Sequence, residues 1–343
     1  MNASPTLRQW LTAQGGAVPF RQYMEAALHD PEFGYYSRGI STVGRGGDFS
    51  TSASLSGMLG RAIAAWAGEQ RAALGPGLCH LIEIGPGTGQ LHRDLLRAMG
   101  WRGRMGWRSH LVERSPKLRA MQRRTLGIAG WRAHWHDNPA SALQAAGGRA
   151  LIFSNELVDA FPVTLLQRDD GAWREVWLEL LPDGRLVETL RPAERNSLPA
   201  SLKPDAFPEG QRVEAHDSHR QWLRGWLPHW KSGTMLTIDY GSEAETLYYR
   251  RPHGTLRGYH RHERLEGLRI YRDPGQCDLT ADVNFTDLQK WGVADGLRTV
   301  SLESQSRFLT RHAKVRNSAD AWLADEAGPG GAFLCLQQRP AAG

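Results

Sequence analysis

Residues 80–91 read His-Leu-Ile-Glu-Ile-Gly-Pro-Gly-Thr-Gly-Gln-Leu. The apolar start predicts a buried strand, and Gly85, Gly87 and Gly89 at alternate positions predict a tight turn. The apolar spacing that follows predicts an amphipathic helix, whose first N–H groups face the turn and can bind an anion. Glycine also lets the backbone approach a ligand closely. With an acid, Glu83, two residues before the first glycine, the G-x-G-x-G spacing fits S-adenosylmethionine (SAM) better than a dinucleotide, whose spacing is G-x-G-x-x-G.

Polar residues follow the next three predicted strands at the positions that a nucleotide-type site requires. Glu113 ends the second strand and is suited to bind ribose hydroxyls, and Asp137 ends a candidate third strand beside the base. The fourth strand, 150–154, is followed by Asn155 and Glu156. Because ligands of open α/β sheets bind at the carboxyl ends of the strands, we expect these side chains at one edge. For the glycines alone, an ordinary turn and a dinucleotide site are the alternatives.

The fourth strand end also carries the candidate catalytic residues Asn155, Glu156 and Asp159. Methyl transfer from a sulfonium depends on positioning and on exclusion of water more than on covalent catalysis. Two carboxylates suit a cationic nitrogen acceptor, and a guanidinium above all. The alternative is that Glu156 and Asp159 cap a following helix. His262 is a candidate acid, base or orienting residue, with a solvated loop histidine as its alternative.

Composition excludes several classes of function. The 343 residues are 41% hydrophobic and 23% charged, typical of a globular protein, and no apolar run is long enough to span a membrane. The net charge of +6 comes from scattered arginines, which predicts no nucleic-acid groove. Residues 1–20 lack a targeting pattern, so we expect a cytoplasmic protein. The three cysteines are far apart and the paired histidines lack further ligands, so we expect buried thiols and no metal site.

The order of predicted elements indicates an α/β, Rossmann-like class I SAM methyltransferase core with a mostly parallel, doubly wound sheet. Residues 1–54 are predicted to form an N-terminal helical segment with a glycine-rich lid that covers the cofactor. Residues 55–343 then form the methyltransferase domain, with insertions near 182–215 and 242–285. Thirteen tryptophans is a high number, with pairs at 101 and 107 and at 131 and 135, and most of the thirteen are expected to be core or half-buried packing.

The chain resembles the MidA-like family of SAM-dependent methyltransferases over almost its whole length. The glycine motif alone is common to many SAM enzymes, whereas the ordered set of motifs is specific. The matching segments are 33–36, 47–52 with Ser56, 83–89, 111–116, 155–156, 159–162, 238–241, 255–259 with His262, and Gly275 with 278–285.

The resemblance implies SAM bound at 83–89 and Glu113, under a loop that includes Tyr36, Asp48 and Thr51. It also implies a protein arginine as acceptor, with symmetric dimethylation of a respiratory-complex subunit in a relative. The chain has Ala53-Ser54 where the family usually has Pro-Glu, so one loop carboxylate is missing. The alternatives are a methyltransferase acting on a small molecule or another protein group, and a SAM-binding assembly chaperone without catalysis. The oligomeric state is not predicted.

Overall fold

The structure is a computed structural model, and it describes residues 3–38, 56–194, 198–199, 201–202, 207–260, 263–272 and 274–341. The strands of this part are β1 (Ala17–Pro19), β2 (Cys79–Ile84), β3 (Trp107–Val112), β4 (Ala133–His136), β5 (Leu151–Asn155), β6 (Thr164–Asp169), β7 (Ala172–Leu180), β8 (Leu186–Pro192), β9 (Arg212–Ala215), β10 (Met235–Ser242), β11 (Arg257–His260), β12 (Glu263–Leu265), β13 (Asp278–Thr280), β14 (Val283–Asn284), β15 (Leu297–Ser304) and β16 (Phe333–Pro340).

The α-helices of the same part lie between these strands and before them. They are α1 (Pro5–Ala13), α2 (Phe20–His29), α3 (Tyr35–Arg38), α4 (Met58–Gln70), α5 (Gln90–Arg104), α6 (Pro116–Leu126), α7 (Pro139–Ala145), α8 (Asp217–Arg224), α9 (Ala244–Leu247), α10 (Phe285–Ala294), α11 (Gln305–His312), α12 (Ser318–Ala324) and α13 (Pro329–Ala332). None of the helices in the described ranges is long and apolar enough to cross a membrane.

The largest sheet has the strand order β15-β16-β10-β5-β2-β3-β4, with β14 beside β10. The strands from β4 to β10 in that order, and β14, are parallel, whereas β16 runs antiparallel to both of its neighbours, β10 and β15. Helices α4, α5 and α11 pack on one face, and α7 and α8 pack on the other. This arrangement confirms the predicted Rossmann-like, doubly wound α/β fold. Because both faces are covered, the central strand β5 begins with a continuous apolar run, Leu151-Ile152-Phe153, and all three residues are buried.

A second, antiparallel sheet has the order β1-β7-β6-β9, with β8 beside β7. Phe20 and Met24 of α2 share one core with Val176 and Leu178 of β7, so the N-terminal helices are anchored on this sheet. The segment 182–215, predicted as an insertion, contributes β8 and β9 to it. A third small sheet has the order β12-β11-β13. The domain limits themselves stay a prediction.

Helix starts on the cofactor side of the large sheet follow from local sequence. Ser115 Oγ accepts a hydrogen bond from the Leu118 N–H at 3.3 Å, and Pro116 occupies the first turn of α6. Asn138 and Pro139 repeat the pattern at α7. A side-chain acceptor before proline is a strong helix start. Both helices therefore begin directly after the carboxyl ends of β3 and β4, where the site lies.

Candidate active site

The glycine turn connects β2 to α5 as predicted. Gly85, Gly87 and Gly89 have φ angles of 68°, 50° and 80°, in the region that favours glycine. Gly85 and Gly87 line a large cavity, whereas Gly89 is absent from its lining. A Cβ on Gly89 would lie 2.9 Å from Leu126 Cδ1, so this glycine allows close packing of α5 against α6. Gly89 therefore packs against protein atoms of α6, whereas Gly85 and Gly87 line the cavity.

The cavity has a volume of about 880 Å³ and lies at the carboxyl edge of the large sheet. This size suits a ligand as large as a nucleoside-based cofactor. Its opposite wall comes from α2, α3 and β13. The predicted site residues that line it are Tyr36, Glu83, Gly85, Gly87, Glu113, Asp137, Asn155, Glu156 and Asp159. Asp48, Thr51 and His262, and also Ala53 and Ser54, lie outside the described residues.

Glu113 follows β3 and has its carboxylate held from two sides. Oε1 accepts from the Ser115 N–H at 2.8 Å and Oε2 accepts from Gln122 Nε2 at 3.2 Å. Burial raises the pKa of Glu113 despite these hydrogen bonds, which act in the opposite direction. The oriented carboxylate at the second strand end is suited to pair with sugar hydroxyls.

Glu83 and Asp137, two further acids of the cavity lining, differ in their surroundings. Glu83 is buried, and its Oε2 lies 2.8 Å from His92 Nδ1 of α5. Asp137 is exposed and pairs with Arg119 at 2.5 Å. Glu83 therefore has a fixed orientation, while Asp137 reaches the cavity from its solvent side.

The end of β5 has an unusual backbone. Glu156 has a φ of 51°, an uncommon conformation for a residue other than glycine and one that is frequent at functional sites. Asn155 Nδ2 donates to Glu156 Oε1 at 2.9 Å. No helix follows in the described residues 156–163, so the capping alternative for Glu156 and Asp159 is wrong. Both residues line the cavity.

Asp239 of β10 stabilises the turn that takes the place of that helix. Its Oδ2 accepts from the N–H groups of Leu157, Val158 and Asp159 at 3.1, 2.8 and 3.4 Å. Burial, and next the charge of Asp159, hold the pKa of Asp239 well above its usual range. The sequence shows only that the strand ends in an acid. The role of that acid depends on a contact with residues 80 positions earlier.

Asp159 is a buried carboxyl of the cavity lining. Its Oδ2 accepts from the Tyr240 hydroxyl, and its Oδ1 is buried without a hydrogen-bond partner among the described residues. Asn155 Oδ1 is likewise buried without a hydrogen-bond partner among the described residues. Burial raises the pKa of Asp159 to about 6, although the Tyr240 hydrogen bond and the charge of Arg257 act to lower it. Two residues of the cavity lining therefore each carry an acceptor oxygen without a hydrogen-bond partner among the described residues.

Tyr240 and Asp278 line the same region and were not predicted as site residues. The Tyr36 hydroxyl donates to Asp278 Oδ1 at 2.7 Å, which joins α3 to β13 across 242 residues. The Arg257 guanidinium lies 5.0 Å from the centre of the Tyr240 ring and donates to Asp282 at 2.5 Å. In the sequence, Tyr240 and Asp278 are marked as candidate site residues only by their presence in the segments that carry the family resemblance.

The cavity fits a SAM-type cofactor on the geometry of its own residues. Gly85 and Gly87 present backbone without side chains, and no heavy atom lies within 4 Å of a Cβ built on Gly87. An oriented carboxylate, Glu113, lies one strand away. At the end formed by β5, the cavity lining includes Asn155 and Asp159, whose Oδ1 atoms are buried and have no hydrogen-bond partner among the described residues.

Known proteins are similar to this chain in sequence and in fold. Residues 59–302 match the family described as "Putative S-adenosyl-L-methionine-dependent methyltransferase". The chain is 31% identical over 303 residues to the zebrafish protein arginine methyltransferase NDUFAF7, mitochondrial, covering 80% of the chain and 68% of the relative. It is 30% identical over 298 residues to the Drosophila melanogaster homologue of that protein, covering 79% of the chain and 65% of the relative. About a third of each relative therefore lies outside the match.

A solved structure agrees over a larger share of the chain. It is a Burkholderia thailandensis protein bound to S-adenosyl-homocysteine (SAH), superposed with a TM-score of 0.85 at 30% identity. The superposition covers 97% of this chain and 90% of that one. The similarity thus includes the N-terminal helices and both larger sheets.

The relatives correct one expectation. The sequence predicts a cytoplasmic protein, but the curated relatives are named as mitochondrial proteins, so that prediction is contradicted. It depended on the lack of a targeting pattern in residues 1–20, and a missing pattern does not identify a compartment.

One assignment follows from the site and from the comparisons. The site has a glycine turn of positive φ and a fixed acid at the second strand end, and the comparisons add the matched family model and the SAH-bound relative. This chain belongs to the family of S-adenosylmethionine-dependent methyltransferases.

Proposed function

We propose that this methyltransferase acts on arginine side chains of proteins. The observation that carries the proposal is that two residues of the cavity lining, Asn155 and Asp159, each have a buried side-chain oxygen, Oδ1, without a hydrogen-bond partner among the described residues. A guanidinium complements them because it has several N–H donors, a positive charge and no acceptor atom. The names of the two curated relatives, both protein arginine methyltransferases, support the same acceptor.

We assign the cofactor to the wall formed by β2 and β3. The backbone at Gly85 and Gly87 would approach the methionine part, Glu113 would bind the ribose, and Asp137 would lie near the base. Glu83, held by His92, orients the strand end beneath the turn. When bound, SAM supplies an electrophilic methyl group. Tyr36 is part of the opposite wall, and we propose that Asp48 and Thr51 also bind the cofactor.

The acceptor would be held at the β5 end by Asn155, Glu156 and Asp159. A carboxylate in a water-poor cavity attracts a cation more strongly than one in solvent. As the acceptor nitrogen gains a methyl group it must lose one proton, and Asp159 Oδ1 is the available acceptor. The Tyr240 hydroxyl occupies Oδ2, so it fixes which oxygen faces the substrate.

The pH dependence of the reaction should report on Asp159. Its carboxyl has a pKa raised to about 6 by burial, so it is neutral below that pH and charged above it. We expect kcat/KM to fall as the pH decreases through about 6, because the neutral carboxyl neither attracts the cation nor takes the proton. Initial rates measured across this range check the prediction. A wild-type profile without such a step, or the same step in Asp159→Asn, would contradict it.

The acceptor itself is tested with matched peptides. Purified protein is incubated with methyl-tritiated SAM and with peptides that differ only by arginine or lysine at one position. We expect label in the arginine peptide alone, and acid hydrolysis followed by chromatography then separates monomethylated, symmetric and asymmetric products. Label in lysine peptides, or only in low-mass compounds of a cell extract, would overturn the arginine assignment. Absence of all label, with partner proteins still captured, would favour the assembly chaperone.

A further inference from the structure

Two exposed tryptophans lie at the edge of the large sheet opposite the cavity. Trp101 is 59% exposed in the last turns of α5, and Trp131 is 53% exposed just before β4. Their rings stack at 6.1 Å with an interplanar angle of 17°. The sequence predicts core or half-buried packing for most tryptophans, and these two are exceptions. Large exposed apolar groups in one place usually mark an interaction surface.

Two arginines fix this pair in position. Arg104 lies 5.6 Å from the ring centre of Trp101 and donates to the Ala129 carbonyl at 3.3 Å. Arg132 lies 4.8 Å from the ring centre of Trp131 and donates to the Met105 carbonyl at 2.8 Å. Each guanidinium thus contacts the tryptophan of its own segment and the backbone of the other. The two segments form one ordered surface, which we call the tryptophan–arginine surface.

Two further apolar side chains project from the tryptophan–arginine surface. Ile128 is 86% exposed within the turn Gly127–Gly130, and Met105 is 50% exposed after α5. A side chain that projects alone from a glycine-bounded turn can enter a fluid interface without a matching groove. This arrangement is typical of contact with lipid.

The charge of both segments has one sign. Between Asp94 and Glu113 the sequence has four arginines and no acidic residue. Between Gln122 and Asp137, the part of the second segment that approaches the tryptophans, it has three arginines and again no acidic residue. Arg102 and Arg124, both exposed, lie in the same two segments as the projecting side chains. Cationic side chains beside exposed tryptophan favour an anionic lipid surface.

We propose that the tryptophan–arginine surface binds the anionic face of a lipid bilayer peripherally. Tryptophan and isoleucine enter the interface, and arginines pair with headgroup phosphates. A second copy of this chain is a poorer occupant, because a symmetric contact would bring arginines against arginines. Bound in this way, the protein keeps its cavity open, since the cavity lies at the other edge of the sheet. The proposal is independent of the arginine acceptor.

Vesicle flotation tests the proposal. Purified protein is mixed with vesicles of phosphatidylcholine alone or with added phosphatidylglycerol. We expect flotation only with the anionic vesicles, and its loss at high salt. The double variant Ile128→Ala/Trp131→Ala should reduce the bound fraction about tenfold or more, the loss expected for two interfacial apolar side chains. Arg102→Gln should weaken binding about fivefold.

Trp322→Ala is the matched control, because Trp322 is 52% exposed but lies on α12 beside acidic residues. It should float like the wild type, and all variants should keep their thermal midpoint and SAH affinity. Equal flotation of Ile128→Ala/Trp131→Ala and wild type would overturn the proposal. So would flotation that ignores lipid charge, or binding of an acidic protein or nucleic acid by this surface with no binding of vesicles.

Discussion

Asp159→Asn is expected to lower kcat/KM for an arginine peptide by about 10² to 10³-fold, the loss typical of a removed group that stabilises charge in an active site. The amide keeps the size of the side chain, but it neither balances the guanidinium charge nor accepts a proton. Steady-state rates with saturating SAM measure the effect. SAH affinity, measured by calorimetry, should be unchanged because Glu113 and the glycine turn are intact.

Tyr240→Phe is the companion variant that separates charge from orientation. It keeps the Asp159 carboxyl but removes a hydrogen bond that lowers the pKa of that carboxyl. We expect a loss of about tenfold, smaller than for Asp159→Asn, and a pH profile displaced to higher pH. A merely structural role of Tyr240 would not move the profile. Full activity of Asp159→Asn would remove Asp159 from the mechanism.

Gly87→Val is expected to reduce SAH affinity about a hundredfold or more, which corresponds to about 3 kcal/mol. A Cβ on Gly87 meets no heavy atom within 4 Å, and the residue lines the cavity. The added side chain would therefore occupy space that the ligand needs, without a clash in the protein core. Calorimetric titration with SAH measures the loss.

Gly147→Val controls for backbone strain. Gly147 has a φ of 63°, near the 50° of Gly87, and a Cβ there also meets open space, but it does not line the cavity. Both variants should lose some thermal stability, because valine is strained in the left-handed backbone conformation that glycine adopts at these positions. Only Gly87→Val should lose affinity. An equal loss in both, or normal binding by Gly87→Val, would show that the glycine turn does not hold the cofactor.

The sequence predicts which strand ends meet at the cavity, because that part of the fold follows from local rules. A strand, a glycine turn and a helix are encoded within residues 80–95, and parallel strands bring their carboxyl ends to one edge. Glu113, Asp137 and Asn155 therefore meet at the cavity as expected. Gly89 differs because its neighbour Leu126 belongs to another helix, which no spacing rule identifies.

The acceptor half depends on contacts that no local pattern encodes. Tyr240 reaches Asp159 across 81 residues, and Tyr36 reaches Asp278 across 242. The antiparallel sheet is also non-local, since Ala17 of β1 pairs with Glu179 of β7. Residues 182–215 are rich in proline, arginine and glutamate, so their composition does not predict strands β8 and β9, which belong to the antiparallel sheet. Pairing over such distances is set by tertiary packing.

A crystal structure with SAH bound would test the site assignment most directly. We expect the ribose hydroxyls within hydrogen-bonding distance of the Glu113 carboxylate and the methionine part against Gly85 and Gly87. The sulfur should face the end of β5, with Asn155 Oδ1 and Asp159 Oδ1 beyond it. A ribose away from Glu113, or a sulfur that faces away from Asp159, would contradict the account of both cofactor and acceptor.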